Sequence, residues 1–283
     1  MNAPFLWLQH SVPQHGLSRL TGRLAELERP RWLKDAVIRA FVRHYGVDLG
    51  EAERPFPEAY ASFNDFFTRA LKPGARPLAG ADVISPVDGA VSQGGAIDGE
   101  HIFQAKGRGF SLTALLGDDP ARAAAYRGGA FATLYLSPRD YHRVHMPCDG
   151  HLTAMRYVPG RLFSVNAVTA AGVDRLFARN ERLVCHFEGP FGPFAMVLVG
   201  AMIVAGIETV WAGRVAPPPR RDTFTDYTAP PAPVTLERGE EMGRFCLGST
   251  VILLFPPGAV RWDDVCTAGA RVRLGMPLAH RLS

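Results

Sequence analysis

Lysine is almost missing from this chain: of its 31 basic residues only Lys34, Lys72 and Lys106 are lysines, and the rest are arginines. No long basic run accompanies the formal charge of +4, so the clustered stripe that nucleic acid requires is lacking and an anionic surface or substrate is the better match. Cysteine is also sparse. Cys148, Cys185, Cys246 and Cys266 form no C-x-x-C pair, which points to reduced thiols on the cytosolic side. The opening MNAPFLWLQHSVPQHG has no basic start and no small-residue cleavage site, so no signal peptide is expected. The longest apolar run, Ala195 to Ile207, falls short of the roughly 20 residues that span a bilayer. Membrane contact, if any, is therefore peripheral. No internal repeat is visible. What remains is 283 residues, 47% hydrophobic, enough for one large domain or a core with an appendage.

Apolar residues recur at helical spacing from Ser18 to Tyr45: Leu20, Leu24 and Leu27, then after Pro30 a second set at Leu33, Val37, Phe41 and Tyr45. This predicts two amphipathic helices broken at Pro30. Arg19, Arg23, Arg29, Arg31, Lys34, Arg39 and Arg43 fall on their polar faces, as in helices lying on anionic lipid. Helices packed on a protein body with solvated arginines would read the same way; Phe5, Leu6, Trp7 and Leu8 favour the lipid surface. A further helix is expected within Ala61 to Leu71. Beyond it the texture turns to short apolar runs punctuated by Gly and Pro. Strands are predicted over Gly89 to Ser92, Ala130 to Leu136, Gly150 to Val158, Arg182 to Phe187, Phe194 to Val204, Thr209 to Ala212 and Thr250 to Phe255, with a proline-rich loop from Ala216 to Pro233. The fold class is thus α+β: a β-rich, barrel-like or sandwich-like antiparallel catalytic body (63–283) behind an N-terminal helical membrane-associating segment (1–62).

Three segments can carry chemistry. In Phe245-Cys246-Leu247-Gly248-Ser249-Thr250 a glycine able to bend a strained turn precedes a hydroxyl and an apolar strand, Val251 to Phe255. An ordinary turn looks the same. Tyr141-His142-Arg143-Val144-His145 offers two histidines able to act as bases near neutral pH. A metal site would need further ligands, and His151 and His186 stand at no recognisable spacing, so no metal is expected. Ser85-Pro86-Val87-Asp88-Gly89 is a turn whose carboxylate could orient a histidine.

Together these segments resemble the bacterial, membrane-associated phosphatidylserine decarboxylase family, whose L-G-S-T motif corresponds to Leu247 to Thr250. The likeness extends through text near Val12 to Gly22, FNDFFTRALKPGARPL from Phe63, SPVDG from Ser85, KGRGFSL from Lys106, YHRVHMPCDG from Tyr141, PGRLFSVN from Pro159, FARNER from Phe177 and IETVWAG from Ile207. It implies self-cleavage between Gly248 and Ser249, giving chains 1–248 and 249–283, with Ser249 as nucleophile, His145 as general base and Asp88 orienting His145. Ser249 would become a covalent pyruvoyl group, which forms a Schiff base with the amine of phosphatidylserine and accepts the electrons left by carbon dioxide. The products are phosphatidylethanolamine and CO2. His142 is the candidate donor of the returning proton, with His145 as the alternative, and no metal is needed. Lys106, Arg108 and Arg161 are candidates for the anionic groups of the substrate.

The resemblance further implies anionic membrane lipid as a partner, a heterodimer of the two cleavage products that pairs into a homodimer, no nucleic acid, and a peripheral place on the cytoplasmic side of the cell membrane. A stable Asp88–His145–Ser249 hydrolase is disfavoured by the missing G-x-S-x-G elbow. A lipoyl-type carrier would need Lys106 at a hairpin tip and leaves L-G-S-T unused. A pyruvoyl decarboxylase of free amino acids would not need the amphipathic start.

Overall fold

A computed structural model describes residues 14–202, 206–216, 221–229, 233–246 and 249–282. Val12, the Phe5 to Leu8 stretch, parts of the Ala216 to Pro233 loop, and both Leu247 and Gly248 lie outside the described residues.

The run Val251 to Phe255 forms the middle of the molecule because it can be buried on both faces. The strand Ser249–Phe255 is buried along its whole length, paired antiparallel on one side with Gly192–Gly200 and on the other with Ala130–Leu136. From this centre a nine-stranded sheet extends through Arg182–Gly189, Gly150–Val158 and Thr223–Asp226 in one direction, and through Gly89–Ala96 and Arg271–Val272 in the other. Thr235–Leu236 adds to Gly150–Val158. Alternation along the central strand separates two cores. Val251, Leu253 and Phe255 face one, with Leu134, Leu136, Val144 and Val87. Ile252 and Leu254 face the other, beneath the His101–Ala105 and Arg108–Ser111 hairpin and the short helices near Leu112, Ala167 and Leu176. By the same alternation Ser249 belongs to the first face.

A second sheet lies at that face, ordered Gly213–Ala216, Ile207–Thr209, Glu241–Phe245 and Arg143–His145. A third, small sheet joins Val83–Ile84, Pro277–Arg281 and Val260–Trp262. The β-rich α+β expectation is met, with several local differences. Thr209 to Ala212, expected as a strand, is mostly the turn between Ile207–Thr209 and Gly213–Ala216; the Thr209 hydroxyl accepts from Ala212 N, and Gly213 takes a left-handed φ of 64°. The strand expected to run on to Val204 ends at Gly200. The expected Ala61 to Leu71 helix is only Phe63–Phe67, started by the Ser62 hydroxyl accepting from Asp65 N. The proline-rich loop contains an edge strand, Thr223–Asp226, paired with Gly150–Val158.

The N-terminal helices, Gln14–Ala25 and Arg31–Tyr45, reverse the usual amphipathic arrangement. The first buries Gln14, Ser18 and Ala25, and Gln14 Oε1 accepts from Leu162 N of the body. Leu20, Leu24, Leu27 and Trp32 are left more than half exposed. Lys34, expected on the polar outer face, is instead buried, its ammonium donating to the carbonyls of Tyr60 (2.6 Å) and Pro57 (3.2 Å). The reason is packing: Ile38 on the same face joins a small core with Val47, Tyr60, Phe66 and Phe67, and Lys34 reaches the open carbonyls at its edge. Among the described residues no helix is long and apolar enough to cross a membrane.

Candidate active site

The second sheet and the central strand converge on one corner. Strand Arg143–His145 pairs with Glu241–Phe245, so His145 stands opposite Glu241, and Phe245 N donates to the carbonyl of His142 (3.0 Å). Four residues after Phe245 the chain is paired again, Ser249 with Leu136. Phe245 and Ser249 thus both meet the 136–142 stretch, the first at its His142 end and the second at its Leu136 end. Ser249 Oγ is buried and has no hydrogen-bond partner among the described residues. Gly248, its neighbour across the expected cleavage point, lies outside the described residues.

Each histidine has its tautomer fixed by a carbonyl, which can only accept. His145 Nδ1 is 2.8 Å from Gly239 O, so Nδ1 carries the proton and the lone pair is on Nε2. There the Tyr141 hydroxyl donates to it over 3.1 Å. Burial raises the Tyr141 pKa, keeping the phenol a neutral donor. Burial likewise lowers the His145 pKa; its bond to Gly239 and the charges of Glu241 and Asp88 oppose that shift, so the ring is neutral and basic at pH 7. His142 Nδ1 donates to Asp140 O over 2.8 Å, and its buried Nε2 has no hydrogen-bond partner among the described residues. Burial first, and then the charge of Arg69, push His142 down to about 3. Phe67 lies on its ring, centroids 4.0 Å apart.

Asp88 stands near this pair without a hydrogen bond to either histidine. Its carboxylate is gripped by Arg76, at 2.6 Å from Nη2 and 3.0 Å from Nε, and accepts from Leu274 N at 2.9 Å. Gly89 makes this placement possible, because a Cβ there would overlap the Tyr135 carbonyl oxygen in the adjoining strand. The turn that carries Asp88 reaches His145 through the backbone, His145 N donating to Pro86 O over 2.9 Å. Asp140 closes the loop before the histidines: although burial opposes it, bonds from Arg271 (2.6 Å) and from the Ser137 hydroxyl and amide (2.7 Å each) hold its carboxyl below the usual range.

The anion-binding candidates are not brought together here. Lys106 is exposed at the tip of the hairpin over the second core, and Arg108, on the same hairpin, reaches Ala171 O and Asp174. Arg161 is exposed but closer: its backbone bridges Asn180, whose amide donates to the carbonyl of Gly200, the strand partner of Ser249. Sequence reasoning missed Arg69, Arg76 and Gly239. Arg69 and Arg76 lie within the quoted FNDFFTRALKPGARPL text, but nothing in their spacing marks an arginine as buried.

Comparison with known proteins decides the family. The profile described as Phosphatidylserine decarboxylase matches residues 63–280, and one described as PSD matches residues 4–46. Three relatives are named phosphatidylserine decarboxylase proenzyme. That of Hahella chejuensis is 56% identical over 98% of this chain and 94% of its own; that of Acidovorax ebreus is 57% identical over 96% of each; that of Stutzerimonas stutzeri is 60% identical over 92% and 88%. The chain belongs to the phosphatidylserine decarboxylase family. The region matched by the larger profile holds every residue of the corner just described, from Phe67 to Leu274.

Proposed function

We propose that the chain cuts itself between Gly248 and Ser249 and that the resulting pyruvoyl enzyme converts phosphatidylserine to phosphatidylethanolamine and CO2. The observation that carries this reading is the buried Ser249 hydroxyl at the head of the central strand, without a hydrogen-bond partner among the described residues. A buried hydroxyl without a partner is costly, and a catalytic role is a reason for a fold to keep one.

In maturation the Ser249 oxygen attacks the Gly248 carbonyl carbon, the bond to the Ser249 nitrogen breaks, and an ester replaces the amide. Nε2 of His145 takes the hydroxyl proton, directly once Tyr141 gives way or through the Tyr141 hydroxyl. The imidazolium so formed is stabilised by the Asp88 carboxylate, which acts through its charge from a position fixed by Arg76. Loss of the Ser249 α-proton then expels the Gly248 carboxylate, and water converts the residual enamine to a ketone with release of ammonia. The site suits the group left behind, since the Ser249 position is buried, as is the His142 ring. When present, the pyruvoyl group supplies the electron sink that no side chain offers. His142, neutral at pH 7, would hold a proton and deliver it to the substrate α-carbon. Arg161 remains a candidate for the substrate anions.

Residues 1–62 are the proposed membrane-associating segment, on the cytoplasmic side, with phosphatidylserine and anionic lipid as partners. Their exposed apolar faces and a groove of about 1080 Å³ lined by Leu24, Leu27, Leu33, Val37, Phe41 and Phe63 support this. Phe63 begins the short helix whose Phe67 covers His142, which links the groove to the site. The two cleavage products are proposed to remain together, because the central strand belongs to the shorter one, and to pair as a homodimer. Release of CO2 from carboxyl-labelled phosphatidylserine in mixed micelles tests the activity: wild type is expected to release it and Ser249→Ala to release none. Equal release by both would sink the reading.

A further inference from the structure

Arg69 is 3% exposed, lies over the Phe66 ring at 5.5 Å, and feels the charges of Asp88 and Asp140 but forms no ion pair among the described residues, a costly state for a guanidinium. Its Nη2 donates to Arg139 O (3.2 Å) and Asp140 O (3.4 Å), while Nε and Nη1 are buried with no hydrogen-bond partner among the described residues. The Asp140 carbonyl is the same oxygen that accepts from His142 Nδ1, so guanidinium and imidazole are neighbours around one acceptor. The backbone between them and the groove is continuous, running from Phe63 through Phe67 to Arg69. Two N–H donors left without a hydrogen-bond partner, on a guanidinium next to the His142 ring, leave capacity to bind an anionic oxygen.

We propose that Arg69 binds the phosphodiester of the substrate head group, an assignment that rests on the decarboxylase reading above. The substrate carries two anions, and charge flow separates them. The carboxylate loses its charge as CO2 departs, so a cation bound to it would stabilise the ground state more than the transition state. The phosphodiester keeps its charge throughout, and it is joined to the α-carbon through a single methylene, which matches the adjacency of Arg69 to His142. Arg69 is thus a specificity-determining residue for a phospholipid over a free amino acid.

The test uses the self-cleaved enzyme and its Arg69→Gln and Arg69→Lys variants, first weighed intact to show that each has matured. Each is then assayed for KM and kcat with phosphatidylserine in mixed micelles, for inhibition by phosphatidylethanolamine, and for competition by an O-alkyl serine, which has the carboxylate and amine but no phosphate. For Arg69→Gln the expected result is a KM raised on the order of thirtyfold, kcat within a few-fold of wild type, inhibition by phosphatidylethanolamine weakened by the same factor, and competition by the O-alkyl serine unchanged. Arg69→Lys should recover part of each loss. Weaker competition by the O-alkyl serine with unchanged product inhibition would assign Arg69 to the carboxylate and overturn the proposal. Unchanged KM and inhibition in matured variants would overturn it too, as would failure of both variants to mature. Wild-type enzyme that releases no CO2 would instead refute the underlying activity.

Discussion

Asp88 is expected to depend on Arg76, a residue that touches neither His145 nor Ser249. Both side chains of the pair are less than a tenth exposed, and two donors of one guanidinium hold one carboxylate. Removing a single partner from such a buried pair costs about 3–5 kcal/mol, because the remaining charge is left in a poorly solvated place. Asp88→Asn should fall at the lower end, since Arg76 keeps Glu51 at 2.8 Å and the amide can still accept from Leu274 N. Arg76→Met should fall at the upper end, leaving the carboxylate with Leu274 N as its one donor among the described residues. The double variant removes both charges together, so its cost should be below the sum of the singles by about 2 kcal/mol. Guanidinium unfolding followed by tryptophan fluorescence, in a Ser249→Ala background that keeps every variant a single chain, measures all three. With Ser249 restored, Arg76→Met should also slow self-cleavage. Additive single and double costs, or a cleavage rate indifferent to Arg76, would refute the claim that Arg76 positions Asp88.

Three other outcomes are expected. His145 has its pKa lowered by burial, so self-cleavage of freshly translated proenzyme should be constant above the ordinary histidine value of 6.5 and slow only at lower pH; a rate that rises through neutrality would contradict a neutral His145 base. His142, at about 3 when folded against 6.5 unfolded, binds its proton more readily in the unfolded chain. Its contribution is whole above 6.5 and is lost as pH falls towards 3, at up to about 1.4 kcal/mol per pH unit, and His142→Gln should flatten unfolding free energy against pH in that window. Leu24→Glu, at a position 57% exposed, should leave folding intact and weaken binding to anionic vesicles about tenfold or more, measured by flotation; undiminished binding would show that this face does not meet lipid.

Where the sequence is legible, one physical pattern dominates its neighbourhood. Val251 to Phe255 is apolar at every position and proves to be the strand buried on both faces, and the helical spacing on either side of Pro30 predicts the two N-terminal helices. Thr209 to Ala212 misleads because Trp211 and Val210 carry strand propensity into a hairpin turn that Gly213 decides. Lys34 misleads because spacing assigns it a face but not the carbonyls of Pro57 and Tyr60 that come to meet it. At the site, Asp88, His142, His145 and Ser249 are visible as chemistry-bearing residues in tight motifs. Their partners are not, since Arg76, Arg69 and the Gly239 carbonyl arrive from segments 12 to 94 residues distant, or, for Arg69, from across the core near Asp140. Tautomers and charge depend on those long-range contacts, so they emerge only from the folded chain.

The central claim is tested most directly by the intact mass of the purified protein under denaturing conditions, beside Ser249→Ala. The account predicts two chains divided after Gly248, the shorter bearing a carbonyl in place of its terminal amine, and a single uncut chain for Ser249→Ala. Active wild-type protein that remains one full-length chain would contradict it.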